Sequence, residues 1–84
     1  MNIPEADRSA LGKWEYANYF EVAHNAFEIL IDCGQESQSE RAPRIYLRIV
    51  TSPLAAQQLH DLLVRMLSDY ADLLERLRHE QEKE

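Results

Sequence analysis

An alternating strand pattern changes into a helical pattern at Thr51-Ser52-Pro53, and this junction constrains the fold more than any other feature of the chain. Apolar residues recur at every second position from Ile45 to Ile49. After the junction they recur at helical spacing as far as Leu77. Serine is a good helix cap, and proline suits the first helical position because it lacks an N–H that would go unpaired there. The junction predicts a strand that runs directly into a long helix.

Two further alternating segments precede this junction. Residues 15–24 alternate, and so do residues 27–33, which predicts two strands. A turn at Asn25-Ala26 would pair Val22 with Ile29 and place the apolar side chains of both strands on one face. A slightly longer turn of the same parity would preserve that face. The polar residues that follow predict a loop before a third strand, which is expected beside the second.

The predicted fold is therefore α+β, with a three-stranded antiparallel sheet (a hairpin plus a third strand) followed by one long C-terminal helix packed on one face. Residues 14–80 would form this single domain, residues 1–13 a flexible N-terminal arm and residues 81–84 a frayed acidic tail. The helix is expected to cover an apolar sheet face that comprises Phe20, Val22, Ile29, Ile31, Ile45, Leu47 and Ile49.

Length and charge exclude several classes of protein. With 84 residues, the chain forms one domain at most, and small domains often gain core by association. Its nine Lys and Arg are scattered among fifteen acids, with a net charge of −6, so a nucleic-acid binder is not expected. No apolar run approaches the ~20 residues of a membrane span, and no export signal is visible. These features predict a cytoplasmic protein.

No residue qualifies as a catalytic, cofactor-binding or metal-binding candidate. Cys33 shares the face of Ile29 and Ile31, which predicts a buried structural thiol rather than a nucleophile. The three histidines lie at no recognisable ligand spacing, and the two glycines are isolated, so no phosphate loop is present. The sequence predicts a protein that is not an enzyme and uses no cofactor.

The second face of the predicted sheet is half apolar and half charged, which is typical of neither a core nor an ordinary surface. Arg48 is expected to pair with Glu28 or Glu21 across strands. The remaining residues would then contact a partner. The candidate partner face comprises Tyr19, Leu30, Tyr46, Arg48 and Val50.

The predicted helix carries an apolar stripe roughly 140° wide at 100° per residue. Part of it steps by four and three residues, as a and d positions of a coiled coil do. The helix should also outrun its own sheet, which leaves its distal apolar residues in need of a cover. A second copy of the chain is the simplest cover, so a homodimer is expected. The candidate oligomer interface comprises Leu63, Met66, Tyr70, Leu73, Leu74 and Leu77.

Three segments together resemble a family of small bacterial proteins of unknown function. They are Tyr16-Ala17-Asn18, the strand end Asp32-Cys33-Gly34, and Arg48-Ile49-Val50-Thr51-Ser52-Pro53. The resemblance spans about residues 16–74, with Cys33 in place of a more usual aromatic residue. It implies a bacterial cytoplasmic protein with the order hairpin, strand, helix, and it implies no reaction.

The sequence therefore favours a non-enzymatic interaction or scaffold domain that works as a homo-oligomer and offers a face to a second protein. The alternative is a holdase-like chaperone that resembles export chaperones, which also join small sheets to long helices.

Overall fold

A computed structural model describes residues 5–82 of the chain. The strands are β1 (Tyr19–His24), β2 (Ile29–Gln35) and β3 (Arg44–Thr51), and the helix α1 spans Pro53–Glu82. The strands form one antiparallel sheet in the order β1-β2-β3. The predicted α+β fold, with a hairpin, a third strand and a long C-terminal helix, is confirmed. The first four residues of the predicted arm and the last two of the predicted tail lie outside the described residues.

The bounds of three elements differ from the prediction. β1 begins at Tyr19 rather than at residue 15, and β2 runs over Ile29–Gln35 rather than 27–33. The helix continues to Glu82, beyond the predicted domain end at residue 80. It persists there although the sequence is highly charged, and His79 Nε2 lies 3.5 Å from Glu75 Oε1 one turn before.

The hairpin turn is two residues longer than the predicted Asn25-Ala26 turn, and it is thus a longer turn of the same parity. Asn25 Oδ1 accepts hydrogen bonds from the amides of Phe27 and Glu28, both at 2.8 Å, and the Asn25 amide donates to the Glu28 carbonyl. Asparagine at the first turn position replaces backbone partners in this way, so no positive φ is needed, and none occurs in residues 5–82 outside glycine. Val22 therefore lies opposite Ile31 instead of Ile29, with the same parity and the same face.

A bulge interrupts the pairing of β2 with β3 after the Cys33–Leu47 pair. The next pair is Gly34 with Ile45, so Tyr46 is the additional residue. A Cβ on Gly34 would lie 2.2 Å from the Arg44 carbonyl oxygen, and therefore only glycine fits there. Ile45 Cδ1 lies 2.9 Å from that same position. Ile45 thus packs over Gly34. The prediction that Ile45 shares the apolar face of Leu47 is wrong, because the bulge shifts the register between them.

The strand-to-helix junction has the predicted geometry. Ser52 Oγ accepts a hydrogen bond from the Ala55 amide at 3.0 Å, and its carbonyl accepts from the Ala56 amide at 2.9 Å. Ser52 is therefore the N-cap and Pro53 the first helical residue.

The helix does not pack on the sheet, in contrast to the prediction. No large apolar side chain in residues 5–82 is buried, and Phe20 and Val22 remain 58% and 67% exposed. The Cα radius of gyration is 17.6 Å, whereas a compact chain of this length would have about 12 Å. Extensive contacts between described elements join only neighbouring strands. Residues 5–82 of the single chain thus have regular secondary structure and no hydrophobic core.

Candidate interaction surfaces

One face of the sheet is almost wholly apolar. The register aligns Phe20 with Cys33 and Leu47 in one row. The second row is Val22, Ile31 and Ile49, and the last row, beside the hairpin turn, places Ile29 between His24 and Thr51. Cys33 is partly exposed, so the predicted buried thiol is wrong for the single chain, because none of residues 5–82 covers this face. We define the apolar face as Phe20, Val22, Ile29, Ile31, Cys33, Leu47 and Ile49.

The helix carries the second uncovered apolar surface. Its candidate interface residues all lie on one side of α1, and Leu73 and Leu77 are 43% and 47% exposed. Only Ala55 and Ala56 are less exposed within the described helix, beside the junction. We define the helix stripe as Leu59, Leu62, Leu63, Met66, Leu67, Tyr70, Leu73, Leu74 and Leu77.

The opposite side of the sheet is built around an ion pair. Arg48 donates two hydrogen bonds to the Asp32 carboxylate, from Nε at 3.0 Å and from Nη2 at 3.1 Å. The predicted partners Glu28 and Glu21 are wrong, because the observed register places Asp32 directly opposite Arg48. The carboxylate raises the pKa of the Arg48 guanidinium, chiefly through these hydrogen bonds. We define the mixed face as Tyr19, Glu21, Leu30, Asp32, Arg48 and Val50.

Two tyrosine hydroxyls also have partners within the chain, one on the mixed face and one at the bulge. Tyr19 donates to Glu21 Oε1 at 2.5 Å, and this hydrogen bond is the main cause that raises the pKa of Tyr19. Tyr46 donates to the carbonyl of Tyr16. The pKa of Tyr46 is raised, first by partial desolvation and then by the charge of Glu15. Tyr19 lies on the mixed face, whereas Tyr46 is the additional residue of the bulge, beside Leu47. The hydroxyl groups of both are already paired within the chain.

The Tyr16-Ala17-Asn18 segment has a structural role that sequence reasoning did not assign. Asn18 Oδ1 accepts from the Glu36 amide at 2.7 Å, and its Nδ2 donates to the Glu36 carbonyl at 3.2 Å. The Asn18 amide also donates to the Gly34 carbonyl at 3.1 Å. An asparagine can imitate a peptide group in this way. Asn18 therefore extends the β1–β2 pairing to the residue before β1 and holds this segment beside Gly34 at the bulge.

The remaining observations on the described residues concern cavities, metal ions and membranes. A shallow depression of about 500 Å³ lies at the mixed face and is lined in part by Glu21, Leu30, Asp32 and Arg48. Residues 5–82 contain no group of three His, Cys, Asp or Glu side chains that could hold a metal ion. In the same part of the chain, no helix has both the length and the apolar content that a membrane crossing requires.

Comparison with known proteins places the chain in a family. The model of a family described as "Protein of unknown function (DUF3467)" matches residues 3–79, which is nearly the whole chain. No curated protein and no solved structure matches. The chain belongs to the DUF3467 family, and this confirms the predicted resemblance to a family of unknown function.

Proposed function

We propose that this member of the DUF3467 family is a non-enzymatic protein-interaction or scaffold domain that acts as a homodimer. The observation that carries the proposal is the absence of a core in the described chain: the apolar face and the helix stripe both remain uncovered. Such large exposed apolar patches mark interaction surfaces.

The separate elements of this chain need a partner to be stable. A three-stranded sheet requires cover for its hydrophobic face, and most helical stability in proteins comes from packing of an apolar side. Neither element supplies this cover for the other here. Burial of one leucine or isoleucine side chain contributes about 1.5–3 kcal/mol. A second copy, which presents the same unpaired surfaces, is the simplest source of that energy.

The distal part of the helix is the first candidate for contact between copies. The 30 residues of α1 extend about 45 Å at 1.5 Å per residue. The eight residues of β3 extend only about 26 Å. The helix therefore exceeds the sheet by more than three turns, and these turns carry the last leucines of the stripe. Residues at a/d-like steps suit helix against helix, and the interface proposed from the sequence is Leu63, Met66, Tyr70, Leu73, Leu74 and Leu77.

The mixed face would remain open in such a dimer and is proposed as the surface for a second protein. Its ionic and hydroxyl groups are paired within the chain, which leaves Leu30 and Val50 as apolar contact points beside Arg48. A face of this mixed character suits a reversible protein contact better than a core. The acidic composition and single cysteine support a cytoplasmic location.

Sedimentation velocity at micromolar concentration tests the homodimer. We expect a dimer mass for the intact chain and a smaller species for Leu73→Asp combined with Leu77→Asp. The matched control is Ser68→Asp combined with Ala71→Asp, which adds the same charge outside the stripe and should remain dimeric. A monodisperse monomer for the intact chain would contradict the proposal.

A holdase-like chaperone is the alternative, and the exposed apolar face favours it. A holdase binds unfolded clients through apolar surface, whereas a homodimer buries that surface against itself. The two functions are separated by light scattering from an aggregating client protein. The homodimer predicts no suppression of aggregation by stoichiometric protein, and suppression that is lost in Ile31→Asp would support the holdase.

A further inference from the structure

The junction prevents α1 from covering its own sheet. A single residue, Ser52, separates the end of β3 at Thr51 from the first helical residue, Pro53. Connections between a strand and a helix that packs back on the sheet usually need two to six residues. The proline also holds Ser52 in extended conformation, so the chain cannot reverse there. The hydrogen bond from the Ala55 amide to Ser52 Oγ caps the helix and stabilises this arrangement of strand and helix.

The helix stripe is wider than a helix pair requires. A two-stranded coiled coil buries only a narrow a/d seam. The stripe here covers roughly 140°, from Leu62 on one side to Leu67 on the other. Such a width is typical of a helix that contacts two neighbours. A partner helix would occupy one part of the stripe and leave the remainder exposed.

The apolar face has matching length and chemistry. Its three rows contain no Asp, Glu, Lys or Arg, and the helix stripe contains none either. From strand rise and spacing, the face measures about 26 by 14 Å, and α1 is long enough to cross it fully. The face and the stripe are thus complementary surfaces that one chain carries but cannot bring together.

We propose that in the homodimer each α1 lies on the apolar face of the other copy, so that the two helices are exchanged. The inference rests on the proposed homodimer and states how its surfaces are covered. One helix-on-face contact buries about 750 Å² when both surfaces are counted, which is in the range of weak contacts. The reciprocal pair buries about 1,500 Å², which is the size of a standard stable interface. Exchange also closes the assembly as a two-fold dimer.

Cys33 provides a direct test because it lies on the apolar face and is the single cysteine of the chain. One copy is the intact chain. The other carries Cys33→Ser together with one new cysteine on the stripe, in turn Leu59→Cys, Leu63→Cys or Met66→Cys, and a tag that changes its mass. The two copies are unfolded and refolded together, oxidised and separated without reductant. The matched control carries Cys33→Ser with Ser68→Cys, on the opposite side of α1.

The exchanged dimer predicts a mixed disulfide between Cys33 and at least one stripe position, confirmed by mass spectrometry, and at least tenfold less with the Ser68→Cys control. Circular dichroism checks that each variant is folded. Disulfides between two Cys33 residues, or between two stripe positions alone, would overturn the exchange while the dimer itself stands. A monomer mass in sedimentation would instead overturn the proposed function. A disulfide within one chain that carries both Cys33 and Met66→Cys would show that the helix covers its own sheet, and would also overturn the exchange.

Discussion

The two faces of one sheet differ in where their contacts are completed. On the mixed face, Arg48 binds Asp32 and Tyr19 binds Glu21, so the polar groups find partners within a few residues or one strand away. On the apolar face, Phe20 and Val22 have no cover in the described chain. Polar contacts between neighbouring strands can thus form as soon as the strands pair, whereas the apolar side chains need a further surface that packs on the sheet. In the proposed homodimer, the chain would form its polar framework alone and its core with a partner.

Adjacent residues on opposite faces give the largest expected contrast. Ile31→Asp places a charge in the centre of the apolar face and should abolish the dimer, with a loss of about 3 kcal/mol or more of unfolding free energy. Leu30→Asp makes a similar change on the mixed face and should keep the dimer. Chemical denaturation at several protein concentrations measures both effects. Equal losses in the two variants would show that the faces do not differ.

The bulge that shapes the mixed side of the sheet offers a second contrast, between the two glycines of the chain. A methyl group at Gly34 would meet the Arg44 carbonyl at 2.2 Å, whereas none of the described atoms lies within 4 Å of a Cβ at Gly12. Gly34→Ala should therefore cost about 1–3 kcal/mol of unfolding free energy, and Gly12→Ala less than about 0.5 kcal/mol. Thermal unfolding of both variants measures this. A neutral Gly34→Ala would mean that the bulge opens freely.

The junction determines that the helix leaves its own apolar face uncovered. Ser52→Ala removes the hydroxyl that accepts from the Ala55 amide and should cost about 1 kcal/mol. Ser52→Asp retains an acceptor and should restore most of this stability. Partner binding and dimerisation should survive in both. If Ser52→Ala left stability unchanged but abolished a partner contact, Ser52 would belong to a binding site.

The sequence was sufficient for the fold wherever a local pattern decides the structure. The alternation of β3 and the capped start of α1 are visible directly, since both depend on neighbouring residues. The hairpin face also followed from parity, although the turn is two residues longer than Asn25-Ala26 because the Asn25 side chain can replace backbone partners. Such a substitution is a local detail that periodicity does not contain.

The candidate surfaces were less accessible from the sequence. The bulge at Gly34 changes the position of Ile45 and places Arg48 opposite Asp32. A bulge has no periodic signal in the sequence. An isolated glycine before a polar loop was the available clue. The clue to the uncovered helix is the connection at Ser52, because one residue between strand and helix limits how far the chain can turn back on the sheet. Connection length is thus as informative about packing as the apolar pattern.

The smallest expected effect concerns the ion pair between Arg48 and Asp32, through which these charged groups of the mixed face find partners within the chain. A double-mutant cycle of Arg48→Gln with Asp32→Asn should give a coupling of a few tenths to about 1 kcal/mol, because Arg48 remains largely exposed to solvent while the Asp32 carboxylate is mostly covered. The control cycle pairs Arg48→Gln with Glu28→Gln, whose carboxylate binds Asn25 in the turn, and should give no coupling. Coupling with Glu28 but not with Asp32 would require a register shifted by four residues, and the apolar rows on the other face would then be paired differently as well.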